Sequence, residues 1–301
     1  MVQPGARLRA LMKQGCVALP GAFNGLVGRL VAEAGFDGCY VSGGAVSAAV
    51  GCPDIGLLTL EGFTRVIHDV TTSSGLPCIA DADTGFGEGE MVTKTVWEYH
   101  RAGAAGLHIE DQVFPKRCGH LDGKALIPTI DMAAKVGRAR RASDACSDGT
   151  FIVCARTDAR AVEGMQAAVA RAKAYVEAGA DMIFPEGLHT ESEFAEFASH
   201  MKGLRGDAPD GGPFLLANMT EFGKTPMLPL STYAMMGYHC VIFPVTTLRV
   251  AMKPVQEMLA TLREKGTVEE WLPKMYSRQE LYSSLRYTPG VEWTYPSKTK
   301  E

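Results

Sequence analysis

The stretch Ala102-Gly103-Ala104-Ala105-Gly106-Leu107-His108-Ile109-Glu110-Asp111 shows most clearly how this chain folds. The small residue and Gly at its start suit the end of a helix, because Gly readily takes the left-handed conformation of a helix C-cap. The run Ala105–Ile109 is then almost continuously apolar, which is typical of a strand buried on both faces. Two carboxylates follow it directly. The stretch predicts a helix, a buried strand and a polar strand end.

The same pattern repeats along the whole chain. Eight apolar runs, separated by roughly 20 to 45 residues, leave room for one crossover helix each; they are Cys16–Leu19, Gly38–Val41, Pro77–Ala80, Ala105–Ile109, Phe151–Ala155, Asp181–Phe184, Phe214–Ala217 and His239–Phe243. A small residue or Met followed by Gly precedes every second run, at Ala34-Gly35, Ala102-Gly103, Ala178-Gly179 and Met236-Gly237. These repeats predict an α/β fold of the (β/α)8 TIM-type barrel class, with an open doubly wound sheet as the alternative.

We expect residues 1–301 to form one barrel domain, with residues 266–301 as a C-terminal helical extension and tail. The segments predicted after the eighth strand are a helix over Thr247–Lys265, a short piece over Val268–Met275 and a helix over Arg278–Leu285. The apolar residues at helical spacing in Met252–Leu262 are predicted to lie in the core.

The bulk composition is that of an ordinary enzyme. The chain has 301 residues, a net charge of -4 and 46% hydrophobic residues. That balance favours neither a nucleic-acid nor an acidic-membrane partner, and no apolar stretch approaches the roughly 20 residues that span a bilayer. The eight cysteines lack metal-binding spacing. We therefore expect reduced thiols and a cytoplasmic location, or the mitochondrial matrix in a eukaryote.

Polar residues follow nearly every predicted strand. In barrels of this class catalytic groups lie at the carboxyl ends of the strands, and there the sequence places Ser42, Asp81, Asp83, Glu110, Asp111, Arg156, Asp158, Glu186, Asn218 and Thr220. A single such residue is often only a turn former. Six converging strand ends predict an active site.

Asp81-Ala82-Asp83 is the candidate metal site. Residues two apart on an extended segment point the same way, and two adjacent carboxylates repel unless a cation separates them. Mg²⁺ commonly takes one or two carboxylates and completes its shell with substrate and water. The alternative is one helix cap and one turn Asp.

Lys116-Arg117-Cys118-Gly119-His120 is a candidate lid carrying a reactive cysteine. Cationic neighbours favour a thiolate, and long loops after barrel strands commonly close over the site. The alternative is a solvated basic loop with an incidental Cys118.

The remaining polar candidates each have a structural alternative. Arg156 can grip a substrate carboxylate or form a structural ion pair with Glu110, Asp158 or Glu186. His108 is interpreted as a satisfied core histidine, and Tyr40 as either a proton relay or a core residue. By sequence alone, Arg249 and Arg278 are more typical of surface helix residues than of ligands.

These motifs together resemble the isocitrate lyase and phosphoenolpyruvate mutase superfamily, and its 2-methylisocitrate lyase branch in particular. The resemblance runs from about Pro20 to Tyr287 and is carried by Tyr40-Val41-Ser42-Gly43-Gly44, Asp81-Ala82-Asp83-Thr84-Gly85-Phe86-Gly87, Lys116-Arg117-Cys118-Gly119-His120, Ala155-Arg156-Thr157-Asp158-Ala159, Phe184-Pro185-Glu186, Ala217-Asn218-Met219-Thr220-Glu221-Phe222-Gly223 and Arg278-Gln279-Glu280-Leu281-Tyr282.

The resemblance implies a barrel that swaps its last helix between subunits of a homotetramer. It implies Mg²⁺-dependent cleavage of a 2-hydroxy tricarboxylate, 2-methylisocitrate, to pyruvate and succinate in propionate catabolism. Asp81 and Asp83 would hold Mg²⁺, Cys118 would be the general acid and Tyr40 a base or relay. The substrate would contact Ser42, Gly43, Gly44, Cys118, Gly119, Arg156, Glu186, Asn218, Met219, Thr220, Arg249 and Arg278. Lys116, Arg117, Gly119 and His120 would form the lid.

One departure concerns the lid, which continues as His120-Leu121-Asp122-Gly123-Lys124. Many bacterial members of the branch have His-Arg-Pro-Asn-Lys there, and the present form is closer to lyases acting on isocitrate or 2,3-dimethylmalate. A sister lyase is therefore the first alternative. Phosphonopyruvate chemistry and a catalytically silent binding barrel are the others.

Overall fold

Eight short strands form the frame of the molecule. The computed structural model describes residues 2–117, 119 and 123–295. Its strands are β1 (Val17–Pro20), β2 (Cys39–Val41), β3 (Cys78–Asp81), β4 (Gly106–Glu110), β5 (Ile152–Thr157), β6 (Met182–Pro185), β7 (Phe214–Asn218) and β8 (Cys240–Phe243). Each overlaps one of the eight apolar runs, so the predicted strands are confirmed.

The strands close into a nearly complete barrel. Their order is β1-β8-β7-β6-β5-β4-β3-β2, and all paired neighbours are parallel. The edge strands β1 and β2 meet through a single parallel bridge between Gly21 and Tyr40, where the Ala22 N–H donates to the Tyr40 carbonyl at 2.8 Å. Strands therefore follow one another in sequence order around a ring. An open doubly wound sheet, in which the order reverses at a switch point, is ruled out.

Helices surround this ring. They are α1 (Pro4–Gln14), α2 (Gly25–Glu33), α3 (Gly43–Ala49), α4 (Leu60–Ser74), α5 (Glu90–Arg101), α6 (Thr129–Ser147), α7 (Ala159–Val162), α8 (Met165–Glu177), α9 (Glu191–Met201), α10 (Leu230–Met235), α11 (Thr246–Lys265) and α12 (Arg278–Ser284). The four predicted helix-ending glycines all have positive φ. No helix in the described ranges is long and apolar enough to cross a membrane.

Helix α4 shows why such segments fold as they do. The Thr59 hydroxyl accepts the Gly62 N–H at 3.3 Å and so caps the helix. Phe63, Ile67 and Val70, spaced by four and three residues, are fully buried and form one face. Burying each such side chain contributes about 1.5–3 kcal/mol.

Apolar side chains fill the barrel interior toward the amino ends of the strands. Inward-facing side chains such as Ile79, Phe214 and Ile242 pack with Leu8 and Met12 of α1, which covers the amino ends of the strands. A filled interior leaves the two ends of the barrel as the places where polar side chains can meet.

The C-terminal segments begin and end close to their predicted positions, with a 3-10 helix over Glu269–Lys274 between α11 and α12. The prediction that Met252–Leu262 lies in the core is wrong. Leu248 is the buried residue of α11, whereas Met252, Leu259 and Leu262 are 47%, 53% and 41% exposed in this single chain. Their helical spacing is that of an apolar face, and that face points away from the barrel.

Candidate active site

The predicted polar strand ends do converge. Asp81, Glu110, Arg156, Glu186 and Asn218 all lie at the carboxyl end of the barrel and are at least nine-tenths buried. Parallel strands of one ring end at the same face, which brings together residues up to 137 positions apart in sequence. A buried, strongly charged cluster of this kind is costly to a fold and is a candidate functional site.

Asp81 and Asp83 lie side by side, but the sequence argument for this was partly wrong. Asp83 is not extended: its φ is +45°, and its N–H donates to Asp81 Oδ1 at 2.9 Å in a tight turn. Both carboxylates nevertheless flank Gly43. A Cβ on Gly43 would lie 2.6 Å from Asp81 Oδ2 and 3.4 Å from Asp83 Oδ1. Only glycine lets the start of α3 approach the pair so closely.

The acidic pair is electrostatically asymmetric. Burial alone would raise the pKa of Asp81, but nearby His108, Lys116 and Arg156 lower it to about 2. Burial and the Asp81 carboxylate raise the pKa of Asp83 to about 6. Lys116 Nζ lies 2.7 Å from Asp83 Oδ1 and 2.5 Å from Asp54 Oδ1. Two adjacent carboxyl groups resist being ionised together, so positive charge near the pair stabilises the doubly ionised form.

Lys116 belongs to this centre. Its side chain is only 2% exposed, and the surrounding carboxylates raise its pKa although burial acts in the opposite direction. The alternative of a solvated basic loop therefore fails for Lys116. It holds for Arg117, which is exposed and exchanges hydrogen bonds with Gln112.

Arg156 lies at the centre of a second group of charged side chains. Its guanidinium donates to Asp158 Oδ2 at 2.9 Å and lies 3.3 Å from Glu110 Oε2 and 3.4 Å from Glu186 Oε2. It also stacks over the Phe184 ring at 5.2 Å. All three ion pairs considered from the sequence are thus present. Three carboxylates around one Arg leave negative charge in excess.

Several buried polar atoms in this cluster accept no hydrogen bond from any residue that the structure describes. They are both oxygens of Glu110 and the Oδ1 of Asn218. Burial strongly raises the pKa of Glu110. Natural proteins rarely leave such atoms unsatisfied without a reason. A ligand, ion or water bound in the cluster would satisfy such atoms.

Tyr40 and His108 form a hydrogen-bonded pair on the inner wall of the barrel. Tyr40 Oη lies 2.7 Å from His108 Nε2, and His108 Nδ1 is 3.8 Å from Asp81 Oδ1 without a hydrogen bond. Burial lowers the pKa of His108 to about 4, so the ring is neutral near pH 7. The interpretation of His108 as a core histidine is confirmed by its full burial, but it is not fully satisfied: Nδ1 faces the acidic centre and has no hydrogen-bond partner among the described residues.

The other predicted ligands line the same end. Asn218 Nδ2 donates to Glu186 Oε2 at 3.1 Å. Ser42 caps α3 by accepting the Ala45 N–H at 3.3 Å, and Gly44 lies next to Asp54. Met219 and Thr220 are buried after β7. Beside the cluster a groove of about 930 Å³ opens between Leu57, Thr84, Phe86, Met91 and Phe114.

The donor set fits magnesium. Within the described ranges, no three His, Cys, Asp or Glu side chains converge to enclose a metal ion. Mg²⁺ is commonly held by one or two carboxylates and keeps several waters. Asp81 and Asp83 flank Gly43, and Glu110 offers two oxygens without hydrogen bonds. These residues suit an ion that draws the rest of its shell from water and substrate.

Part of the predicted lid is in place over this centre. Gly119 is buried, and a Cβ on it would lie 2.5 Å from both Arg156 Nη2 and Glu186 Cγ. Cys118 and His120 lie outside the described residues. Their predicted roles remain predictions.

Two predicted ligands are not part of the cluster. Arg249 is 41% exposed and pairs with Glu221 at 2.8 Å on the rim. Arg278 is exposed at the start of α12, which packs against α2 outside the barrel. Within this chain both remain surface helix residues.

The sequence reasoning missed several members of the site. Asp54 reaches Lys116, and the buried Lys124 reaches Asp158 at 3.0 Å. Glu110 and Asp158 were predicted to lie among the polar strand ends and to be possible partners of Arg156, but neither was given a role in the site. For Glu110 and Asp158 the signal was their position directly after a strand; Asp54 and Lys124 lie in loops, where no local pattern identifies them.

Comparison with known proteins gives a consistent result. The family model described as phosphoenolpyruvate phosphomutase matches residues 8–263. A probable 2-methylisocitrate lyase 1 of Corynebacterium glutamicum is 49% identical, over 89% of this chain and 84% of that protein. A 2-methylisocitrate lyase of Aeropyrum pernix is 47% identical, over 95% and 88% of the two chains.

Comparison with solved structures gives the same result as comparison with sequences. The crystal structure of 2,3-dimethylmalate lyase has a TM-score of 0.86 and 34% identity, covering 94% of this chain and 92% of that one. A phosphonopyruvate hydrolase complex with oxalate and Mg²⁺ has a TM-score of 0.81 and 29% identity, covering 95% of each chain. Taken with the barrel and its acidic centre, these matches establish that the chain belongs to the phosphoenolpyruvate mutase and isocitrate lyase superfamily.

Proposed function

We propose that this protein is a carbon–carbon lyase that cleaves 2-methylisocitrate to pyruvate and succinate, the last step of the methylcitrate route of propionate catabolism. The observation that carries the proposal is the single buried cluster in which Asp81, Asp83, Arg156 and Asn218 meet. A tricarboxylate needs such a combination of cation, guanidinium and amide donors. The identity of the substrate is taken from the relatives that are named as 2-methylisocitrate lyases.

Asp81 and Asp83 would hold Mg²⁺, with Glu110 accepting hydrogen bonds from water in its shell. When bound, the ion supplies Lewis-acid stabilisation of the negative charge that develops on the substrate's hydroxyl oxygen. The low pKa of Asp81, about 2, keeps that ligand ionised at neutral pH. The Lys116 ammonium balances the remaining charge of Asp83 and Asp54.

The chain's own residues would bind and orient the substrate. The start of α3 would present Ser42, Gly43 and Gly44 to one substrate carboxylate. Arg156, Glu186, Asn218 and Thr220 would surround the part that leaves as succinate, whose charge rises as the bond breaks. Met219 would contribute mainly its backbone.

Proton transfers complete the proposal. Tyr40 would relay the hydroxyl proton: its oxygen would accept that proton while its own O–H proton passes to the neutral His108 Nε2, 2.7 Å away. By the family resemblance, Cys118 would protonate the departing carbon while Gly119 and the neighbouring lid residues exclude water.

Assembly and location are part of the proposal too. We infer a homotetramer in which α12 is exchanged between subunits, so that Arg278 would reach the site of a neighbour. The exposed apolar residues of α11, among them Met252, Leu259 and Leu262, support an interface there. We also infer a cytoplasmic location, or the mitochondrial matrix in a eukaryote.

A sister lyase acting on 2,3-dimethylmalate is the second candidate. The lid sequence Leu121-Asp122-Gly123 and the similarity to the 2,3-dimethylmalate lyase structure favour it. It shares the bond-breaking chemistry and differs in the group that the substrate carries.

The test is direct. The purified protein is incubated with racemic 2-methylisocitrate and Mg²⁺, and pyruvate is measured with a coupled dehydrogenase. We expect pyruvate formation that EDTA abolishes and added Mg²⁺ restores. Parallel reactions with 2,3-dimethylmalate, isocitrate and phosphonopyruvate rank the alternatives. Pyruvate from phosphonopyruvate alone, or from none of the four, would contradict the proposal.

A further inference from the structure

Lys124 is a lysine buried in the wall of the candidate site. Its side chain is 1% exposed, and its Nζ donates to Asp158 Oδ1 at 3.0 Å and to the carbonyl of Gly119. Removing an ammonium from water is expensive and is tolerated only with good partners. Lys124 therefore keeps this position only while both acceptors are in place.

One of those acceptors is fixed to the barrel. The Asp158 N–H donates to Asp111 Oδ1 at 2.9 Å, and the other oxygen of Asp111 accepts from Thr157 at 2.7 Å and from Tyr175 at 2.8 Å. Asp158 is fully buried at the end of β5. It is a rigid anchor, whereas Gly119 and Lys124 belong to the loop between β4 and α6.

The same anchor orients Arg156. Asp158 accepts the Arg156 Nε–H at 2.9 Å and its Nη2–H at 3.2 Å, so Arg156 and Lys124 share one carboxylate. Burial opposes ionisation of Asp158, but Arg156 and Lys124 lower its pKa. Meanwhile Gly119 is pressed against Arg156 and Glu186 so tightly that a Cβ would not fit.

We propose that Lys124 is a positioning residue for the reaction: its ion pair with Asp158 holds the loop segment at Gly119 over Arg156 and sets the orientation of that guanidinium. Loss of the ion pair between Lys124 and Asp158 would release the loop segment at Gly119 from the site. Asp158 would then pair with Arg156 and no longer with Lys124. The inference rests on the proposed function for its catalytic consequence. The attachment of the loop to the barrel does not depend on which substrate is cleaved.

The test compares Lys124→Met, which keeps the length but not the charge, with Lys124→Arg, which keeps the charge. The control is Arg9→Met, which removes a buried ion pair to Asp181 at the opposite end of the barrel. Two quantities are measured: trypsin cleavage after the exposed Arg117, with no ligand present, and kcat and KM for the lyase reaction.

We expect Lys124→Met to be cleaved after Arg117 at least about tenfold faster than wild type, because the loop has lost its charged attachment. We expect kcat/KM to fall on the order of 100-fold, as misplacement of a positioning group commonly costs that much. Lys124→Arg should recover most of both. Arg9→Met should lose thermal stability and yet show wild-type cleavage and kcat/KM.

Wild-type cleavage and kinetics in Lys124→Met would overturn the proposal. So would an equal rise in cleavage for Arg9→Met at matched loss of stability, since general unfolding would then explain both. If wild type cleaves no 2-methylisocitrate but Lys124→Met is still trypsin-sensitive after Arg117, the attachment stands and only the proposed substrate fails.

Discussion

Carboxylates and arginines pair at both ends of the barrel, but the carboxylates at the two ends differ in the hydrogen bonds that they accept. At the amino end, Asp181 pairs with Arg9 at 2.8 Å and with Arg140 at 2.9 Å. Its Oδ2 also accepts the Val153 N–H at 2.9 Å. At the carboxyl end, Glu110 has Arg156 at 3.3 Å and accepts no hydrogen bond from any described residue on either oxygen.

The difference indicates what each end is for. Asp181 is satisfied by groups that are present whenever the chain is folded, so its network joins α1, α6 and the strand starts. Glu110 is fully buried beside Arg156 and accepts no hydrogen bond from the described part of the chain, so a bound ion, ligand or water would complete its environment. In barrels of this class the amino end commonly provides stability and the carboxyl end chemistry.

Replacing Glu110 by Gln should have the largest effect on activity. The change removes one of the three carboxylates around Arg156, but no described residue donates a hydrogen bond to it, so we expect the free energy of unfolding to change by no more than about 1 kcal/mol. We expect kcat/KM for pyruvate formation to fall on the order of 10²-fold, the usual cost of losing one placed polar group. Urea unfolding and the coupled assay measure the two. A fully active Gln variant would show that this carboxylate serves neither ion nor substrate.

Replacing Arg9 by Met, at the amino end of the barrel, should lower stability and leave activity unchanged. Asp181 keeps Arg140 but loses one charged partner, and Arg9 also donates to the carbonyls of Gly149 and Thr150. We expect a loss of about 2 kcal/mol in the free energy of unfolding, with kcat per folded molecule unchanged. A variant with native stability and impaired turnover would mean that the two ends are not divided as described.

The smallest effect is expected from pH at the amino end. His239 Nδ1 accepts the Leu215 N–H at 3.0 Å, and burial lowers the pKa of His239, with Asp210 acting weakly in the opposite direction. A depressed histidine pKa means that the unfolded chain binds the proton first. Stability should therefore fall as the pH drops below about 6.5, the unfolded value.

The check is the free energy of unfolding of wild type and His239→Asn at pH 7.5 and 5. Asn keeps a hydrogen-bond acceptor but does not titrate in this range. We expect the wild type to lose more stability on acidification than the variant. Equal losses would assign the pH dependence to other groups, such as His100, whose pKa burial also lowers.

Several features of the site were predictable because they are local. Asp81 and Asn218 end their strands and Arg156 is the last residue but one of β5, and the strands themselves are apolar runs. The site partners that were missed lie in loops. Asp54 meets Lys116 across 62 residues, and Lys124 meets Asp158 across 34. No period or motif in those loops states which distant carboxylate each lysine will reach.

The sequence by itself determined the eight strands and the face on which polar groups collect, because hydrophobic periodicity and strand-end chemistry act over a few residues. It favoured a barrel but left an open doubly wound sheet as the alternative. Tertiary structure alone decided that Asp83 turns into a left-handed conformation, that His108 faces the acidic centre and that the apolar face of α11 is left uncovered in the single chain. Those outcomes depend on packing and electrostatics between elements far apart in the chain. An apolar helical face looks the same in a sequence whether it will cover its own barrel or not.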